Sequence, residues 1–144
     1  DNSFDQHLVI RSTEVHTLMP MMQFSVAPWR ILNKENLAIV RNMANLHVRL
    51  GSYILTCAKR SSITGEPIVR HMEYAFPHQG YALIKDQFML GDKYLVAPVV
   101  SDTTRRTVLL PRGRWRDERG KVYKGGRKII IDVPIGRLPY FEAL

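Results

Sequence analysis

Cysteine, long apolar runs and metal-binding histidine patterns are what this sequence has least of. Its single cysteine, Cys57, excludes an internal disulfide, and we interpret it as a buried structural thiol within a helical pattern. No apolar stretch approaches the roughly 20 residues of a membrane-spanning helix, so we predict no membrane partner. The five histidines lack zinc-site spacing and no glycine-rich phosphate-binding loop is present, so we predict no metal and no cofactor. The polar residues 1–5 do not resemble a signal peptide, which leaves the compartment open.

The overall composition is that of a folded protein with an excess of positive charge. Hydrophobic residues make up 45% and charged residues 24% of the 144, and the formal net charge is +8. Basic residues concentrate in residues 112–128, and such a cluster is typical either of a phosphate-binding surface or of a solvated face of a small sheet. The charges alternate with strand and turn residues, and the only aromatics nearby are Trp115 and Tyr123. We therefore favour the solvated face and predict no nucleic-acid partner.

The first half of the chain has helical periodicity. Apolar spacing predicts a helix over residues 4–18, which Pro20 would stop. The apolar residues 21–26 lack that periodicity and predict a short buried strand. Asn33 can cap a second helix, whose apolar face recurs every three or four residues as far as Ala58 and which we expect to end near residues 59–60. A single strand between helices cannot form a sheet by itself, so this half must belong to a larger unit or pack against the second half.

After Pro67 the sequence changes to short β-type runs separated by glycine and proline. We predict strands over residues 94–99, 107–110, 128–133 and 138–141, and a hairpin over residues 115–123 that turns at Arg119-Gly120. Such a series of short strands is typical of an antiparallel sandwich. The predicted fold is therefore α+β, with a helical segment followed by a small β-sandwich.

Several motifs in a fixed order suggest a family. They are Gly65-Glu66-Pro67-Ile68-Val69-Arg70, Phe76-Pro77, residues 86–99 (DQFMLGDKYLVAPV), residues 110–117 (LPRGRWRD), Gly125-Gly126 and Leu138-Pro139-Tyr140-Phe141. In this order and spacing the chain resembles the C-terminal part of glycoside hydrolase family 31. The resemblance implies that residues 1–64 are the last segment of a (β/α)8 catalytic barrel, and that residues 65–144 are the β-sandwich domain that follows it. It also implies a retaining, exo-acting α-glycosidase as the full-length protein, with a terminal α-linked sugar as its substrate.

The last barrel strand departs from the commonest pattern of the family. Many of its α-glucosidases carry Phe-Arg-x-His there, with the arginine and histidine reaching the sugar, whereas this chain has Met22-Gln23-Phe24-Ser25. The whole stretch of residues 20–29 (PMMQFSVAPW) resembles a branch of the family associated with α-galactoside substrates. Residues two apart in a strand point the same way, so the resemblance implies that Gln23 and Ser25 face the substrate, with Trp29 as a third candidate. The alternative is that Gln23 and Ser25 satisfy local backbone groups and that Trp29 closes the barrel rim.

The resemblance places the catalytic residues outside this chain. Retaining glycosidases use two carboxyl groups about 5 Å apart, and in this family both are aspartates on earlier barrel strands. We therefore assign no catalytic residue here and expect the isolated chain to be inactive. Exposed barrel faces would make self-association plausible. The only argument for a secreted or periplasmic location is that carbohydrate-degrading enzymes are often found there.

Two further expectations concern the β half. A non-catalytic module that binds glycan through an exposed aromatic is the alternative to an enzyme part, and Trp115 is its obvious candidate; a solvent-facing Trp115 would favour this alternative and a buried one would end it. We also expect Arg70 to form an ion pair across the junction between the two halves rather than to bind a ligand.

Overall fold

The computed structural model of the chain describes residues 6–19, 28–100 and 103–144, and it has helices first and strands afterwards. Helix α1 spans Gln6–Thr17, and a single 3-10 turn follows at Pro28–Arg30. The other helices are α2 (Lys34–Arg49), α3 (Gly51–Thr64) and the one-turn α4 (Met72–Ala75). The predicted order of a helical segment followed by antiparallel β structure is confirmed. The predicted strand at residues 21–26 lies outside the described residues.

Within the described residues, eight short strands form two antiparallel sheets. They are β1 (Val69–His71), β2 (Phe88–Leu90), β3 (Tyr94–Val96), β4 (Arg105–Leu110), β5 (Arg114–Asp117), β6 (Val122–Lys124), β7 (Arg127–Asp132) and β8 (Tyr140–Ala143). Six strands make one sheet in the order β1-β2-β3-β8-β5-β6, and β4 pairs with β7 in the other. The hairpin predicted at Arg119-Gly120 is present between β5 and β6, and Gly120 supplies the positive φ of 86° that its turn needs.

Alternate residues of the six-stranded sheet serve two different cores. On one face Met89 and Leu95 pack with residues of the β4–β7 sheet, so the two sheets form the predicted sandwich. On the other face Leu90 and Val96 pack against helices α2 and α3, where they meet Leu46 and its neighbours. This alternation follows from the two-residue period of a strand. The sheet therefore lies between the helices and the second sheet.

The second helical region differs from its prediction in two ways. The single helix expected up to residues 59–60 is broken at Leu50, whose N–H still donates to the Leu46 carbonyl at 3.1 Å, and a new helix begins at Gly51. The later end at Thr64 was also missed, because Ser62 and Thr64 are usually turn residues. Their hydroxyls donate to backbone carbonyls three and four residues earlier, at 2.7 and 2.9 Å, and so remain compatible with a helix.

Helix α3 approaches the β2–β3 turn so closely that the turn requires glycine. Gly91 has φ = 59°, and a Cβ there would lie 2.3 Å from the Tyr53 hydroxyl and 2.8 Å from the Cys57 sulfur. The Tyr53 hydroxyl donates to the Leu90 carbonyl at 3.1 Å and accepts from the Lys93 N–H at 3.2 Å. Cys57 is thus half-buried at a packed contact rather than fully buried as predicted.

Candidate functional site

The predicted substrate-facing residues lie on or beside the connection between α1 and α2. Gln23 and Ser25 are outside the described residues, so their substrate-facing role stays a prediction. The backbone of Trp29 lies in the 3-10 turn at Pro28–Arg30, directly after them. The structure therefore describes the residues on either side of this candidate site, up to residue 19 and from residue 28 onward.

The first flank is the end of α1, and it is tied to helix α2. Leu18 is fully buried in the cluster that contains Met43 and Leu46 of α2. The His47 ring donates from Nδ1 to the Thr17 carbonyl at 2.6 Å. His47 thus satisfies a backbone carbonyl at the C-terminus of α1, which would otherwise lack an intrahelical partner.

The second flank begins at the 3-10 turn and is tied to the start of α1. Leu32 packs in a small buried cluster with Ile10 of α1. The Gln6 side-chain oxygen accepts hydrogen bonds from the Asn33 backbone N–H at 3.0 Å and from the Asn36 side-chain Nδ2 at 2.8 Å. Asn33 also caps α2 as predicted, because its side chain accepts the Asn36 N–H at 2.9 Å. The described residues on either side of this connection are therefore tied to α1 and α2.

Helix α1 is in turn anchored to the β half through two charged residues that the sequence interpretation did not single out. The Arg11 guanidinium donates to the Val133 carbonyl at 2.6 Å and to a Glu14 carboxylate oxygen at 2.9 Å. The other Glu14 oxygen accepts the Gly136 N–H at 2.9 Å, and Glu14 is fully buried. The contacts to Val133 and Gly136 join residues more than a hundred positions apart in the sequence, so no local pattern could indicate them.

The environment of Glu14 acts on its ionisation in two directions. Burial raises the pKa of this carboxyl above its ordinary value, while the Arg11 guanidinium and the Gly136 N–H act to lower the pKa. Burial is the larger influence, so the net shift is upward. Burial therefore makes the charged form of this carboxyl harder to maintain, and the contacts to Arg11 and Gly136 offset part of that cost.

Two cavities lie where the helices meet the β half. One, of 590 Å³, is bounded by one side of α1, the segment after β3 and the Pro134-Ile135 segment. The other, of 470 Å³, separates α2 from the loop that leads into β8, and Glu118, Arg119 and Arg137 form its polar wall. These cavities follow the junction between the halves, and neither reaches the described part of the 3-10 turn.

The two adjacent acidic residues of the hairpin, Asp117 and Glu118, have structural partners. Asp117 accepts hydrogen bonds from the Arg119 and Lys121 N–H groups, each at 2.9 Å. The buried guanidinium of Arg137 lies 3.7 Å from Asp117 and donates to Glu118 at 2.6 Å. Because both carboxylates face this arginine and the turn backbone, they are not placed as a nucleophile and acid pair.

Two expectations about the β half are overturned by its packing. Trp115 is only 3% exposed, lies in the sandwich core and donates from its ring nitrogen to the Pro111 carbonyl at 2.9 Å. It is therefore not an exposed platform for a glycan, and the binding module built on it is excluded. Arg70 pairs with Glu66 at 3.1 Å, a partner four residues away in its own segment, so the predicted ion pair across the junction was wrong.

Metal-ligand clusters and membrane-spanning helices are both absent from the described ranges. Among residues 6–19, 28–100 and 103–144, no three His, Cys, Asp or Glu side chains come together as a set of metal ligands. No helix within those same ranges has the length and apolarity to cross a membrane.

The comparisons with known proteins place the chain in a family. The profile described as "Glycosyl hydrolase family 31 C-terminal domain" matches residues 65–142, which is more than half of the chain. The chain belongs to glycosyl hydrolase family 31. The family predicted from the ordered motifs is thereby confirmed.

One curated relative represents the branch suggested by residues 20–29. The chain is 36% identical over 134 residues to the myogenesis-regulating glycosidase of Mus musculus, covering 91% of this chain. The resemblance to that branch is confirmed by this similarity. The match covers only 19% of the mouse protein, so the chain spans about a fifth of the length of this relative.

Solved family 31 structures share the fold over nearly the whole chain. A dextranase of Flavobacterium johnsoniae, solved with isomaltotriose, matches with a TM-score of 0.90 at 29% identity, covering 99% of this chain and 19% of that one. An α-xylosidase from a soil metagenome, solved with xylose, matches with a TM-score of 0.86 at 28% identity, covering 96% and 25%. The helical segment and the sandwich together therefore form a unit common to enzymes that act on different sugars.

Proposed function

We propose that this chain is the C-terminal part of a retaining, exo-acting α-glycosidase. Residues 1–64 would contribute the last segment of the catalytic barrel, and residues 65–144 would be the sandwich domain that supports it. The observation that carries this proposal is the family 31 similarity over the whole chain, from helices to sandwich, at a small fraction of each relative's length. Arg11 and Glu14 anchor α1 to the sandwich. This contact favours a role for the β half in holding the barrel segment in place.

Within the full-length protein, Gln23 and Ser25 would bind the sugar and Trp29 would border it. An amide and a hydroxyl both donate and accept hydrogen bonds, so the two side chains can bind a sugar hydroxyl without a charge. Their replacement of arginine and histidine favours an α-galactoside over an α-glucoside substrate. The described flanks support this role, because Gln6 of α1 accepts a hydrogen bond from the Asn33 N–H and His47 of α2 donates one to the Thr17 carbonyl, so the residues on both sides of the segment are tied to the helices.

The isolated chain would not hydrolyse glycosides. A retaining mechanism needs two carboxyl groups about 5 Å apart, one free to attack and one free to exchange a proton. The adjacent Asp117 and Glu118 face Arg137, and Glu14 is paired with Arg11. These carboxylates have structural partners, which supports placing the catalytic pair elsewhere in the full-length enzyme.

The direct test is to compare the full-length protein with this chain on nitrophenyl α-galactoside and nitrophenyl α-glucoside. We expect the full-length protein to cleave the galactoside and the isolated chain to cleave neither. A preference for the glucoside would overturn the sugar assignment and leave the enzyme assignment standing. Turnover by the purified chain, or none by the full-length protein, would overturn the proposal.

The role of Gln23 is tested by the Gln23→Ala substitution in the full-length enzyme. A lost hydrogen bond to a buried sugar hydroxyl costs about 1–3 kcal/mol, so kcat/KM should fall about tenfold or more. The matched control is Gln79→Ala, because Gln79 is an exposed glutamine. If both variants retain the activity of the unmodified enzyme, Gln23 belongs with the structural residues.

Self-association of the isolated chain is also part of the proposal. The helices expose large apolar side chains, with Val48 74%, Leu55 56% and Ile63 85% exposed. Apolar surface of this kind would be covered by barrel segments in a longer protein. We expect the apparent mass of the chain in light scattering to rise with concentration, and a monomer at every concentration would contradict this.

A further inference from the structure

Two turns lie side by side at one end of the sandwich. The β4–β5 turn and the β6–β7 turn are joined by two backbone hydrogen bonds, from Gly125 to the Gly113 carbonyl at 2.6 Å and from Gly126 to the Leu110 carbonyl at 2.8 Å. The approach is so close that a Cβ on Gly125 would lie 1.8 Å from the Pro111 carbonyl oxygen. Glycine is therefore required there, and the relative position of the two turns is fixed by their backbones.

This arrangement brings basic side chains from both turns to one place. Three cations, Arg112, Arg114 and Lys124, line a cavity of 460 Å³ whose remaining wall is Gly113 and Gly125. We call these three cations the turn-end basic site. All three side chains are exposed, so their charges are available to a ligand.

The charges of this site face one another without a counter-ion. Arg114 and Lys124 are directly opposite in the β5–β6 register, and like charges in that position destabilise a strand pair. Elsewhere in the sandwich the corresponding arrangement is balanced, since Arg105 lies opposite Asp132 and pairs with it at 3.6 Å. Within residues 6–19, 28–100 and 103–144, none of the ion pairs includes a member of the turn-end basic site.

The acids of the same stretch cannot neutralise the site. Asp117 points into the sandwich and is 5% exposed, because it alternates with the outward-facing Arg114 and Arg116 along β5. Glu118 is bound to the Arg137 guanidinium on the side of the junction. An anion from outside, placed between Arg114 and Lys124, would contact two cations at once and remove their repulsion.

We infer that the turn-end basic site binds an anionic polysaccharide through its sulfate or carboxylate groups. Cross-strand neighbours lie about 5 Å apart, so Arg114 and Lys124 are closely spaced, and Arg112 in the adjoining turn lines the same cavity. A linear glycan with acidic groups can contact such a cluster with no need for an aromatic surface. This site includes none of the residues proposed to bind the sugar, and it does not depend on hydrolase activity.

Nucleic acid fits the same surface less well. Binding of single strands combines cations with aromatic rings on which bases stack. The aromatics near the site are Trp115, which is buried, and Tyr123, which is half-buried with the Lys121 ammonium 5.0 Å from its ring centre. No free ring face therefore lies beside the cations within residues 103–144, and charged groups on a sugar chain are the better match.

The experiment measures fluorescence anisotropy of a labelled heparin oligosaccharide with the 144-residue chain over a range of salt concentrations. We expect the triple variant R112Q/R114Q/K124Q to bind about tenfold or more weakly, and the slope of log affinity against log salt to fall by about two, since three charge contacts are lost. The control K34Q/R41Q/K59Q removes the same charge from exposed cations of α2 and α3, and should bind as the unmodified chain does. Circular dichroism checks that both variants are folded.

A second measurement uses only the unmodified chain. Bound heparin should protect Lys124 from acetylation and leave Lys34 reactive. Equal loss of affinity in the two triple variants, or no protection of Lys124, would overturn the site. A single-stranded or duplex DNA that binds more tightly than heparin through the same three residues would overturn the choice of ligand, and so would displacement of heparin by neutral dextran.

Discussion

The two halves of the chain differ in how they build a core. The β half, residues 65–144, contains every member of its main buried cluster, which runs from Met72 to Phe141 and holds twelve buried residues. The helical half, residues 1–64, completes its larger core only with residues from the β half. Three of the seven buried members of its larger cluster, Leu90, Val96 and Leu138, come from strands or from the approach to β8.

The polar contacts have the same asymmetry. The turns of the β half are held by its own residues, as Asp117 and Arg137 illustrate. Helix α1 instead relies on Arg11 and Glu14, whose partners Val133 and Gly136 belong to the β half. We conclude that the sandwich is the independent unit, and that the helical segment depends on it for both apolar and polar partners.

Separating the halves would test this conclusion most directly. We expect residues 65–144 to fold alone and unfold cooperatively, because their core is complete, although the helix-facing side of the sheet would be uncovered. We expect residues 1–64 to remain largely unfolded, because their larger buried cluster would lose the sandwich residues. Circular dichroism and urea unfolding of each piece give the answer. A cooperative transition in residues 1–64, or none in residues 65–144, would reverse the comparison.

Matched leucine truncations compare the two cores by the same chemistry. Leu95→Ala opens a cavity at a fully buried position between the two sheets and should lower the free energy of unfolding by about 4 kcal/mol. Leu46→Ala, at a 9% exposed position between helix and sheet, should cost about 2 kcal/mol, since the helix can shift to fill part of the space. Urea unfolding of the full chain measures both. Equal losses would mean that the two cores are equally rigid.

The sequence predicted the strands from β3 onward because their signals are local, but it missed β1, the one-turn α4 and β2. Glycine at the Arg119-Gly120 turn, β-branched residues in β7 and proline between runs identify strands and turns within a few residues of where they act. The Asn33 cap is local in the same way. The order of the motifs was enough to predict the family, although the residues that suggested a branch and a sugar, Gln23 and Ser25, stay predictions.

The helical half was predicted less accurately because its limits depend on tertiary contacts. Apolar periodicity continues through Leu50, so it could not indicate that the helix breaks there. Arg11 and Glu14 look like an ordinary exposed pair three residues apart on a helix, and only the distant Val133 and Gly136 make them the junction contact. The charge of residues 112–128 was visible in the sequence, but the way two turns concentrate it was not.

Removing the buried acid at the junction should have the next largest effect. Glu14→Ala leaves the Arg11 guanidinium and the Gly136 N–H without their partner, and breaking a buried ion pair in this way costs about 3 kcal/mol. We expect that loss in urea unfolding of the full chain, with α1 detaching first in hydrogen exchange. Glu35→Ala, at an exposed acid of α2, is the control and should change stability by less than about 0.5 kcal/mol. Similar small changes in both variants would show that α1 is held by its apolar contacts alone.

The smallest expected effect concerns the charge of Glu14 rather than its hydrogen bonds. Glu14→Gln keeps an oxygen that can accept from Gly136 and removes the group that titrates. Because burial raises the pKa of Glu14, the folded chain binds a proton there more readily than the unfolded chain, so the contribution of Glu14 to stability increases as pH falls through its folded pKa. The stability of the unmodified chain should therefore improve relative to Glu14→Gln between pH 7 and pH 4, while every other titrating group is shared by the two proteins and cancels. Urea unfolding of both at each pH measures this difference. A difference that moves the opposite way would mean that Arg11 outweighs burial, and that the junction is an ion pair stabilised by its charges.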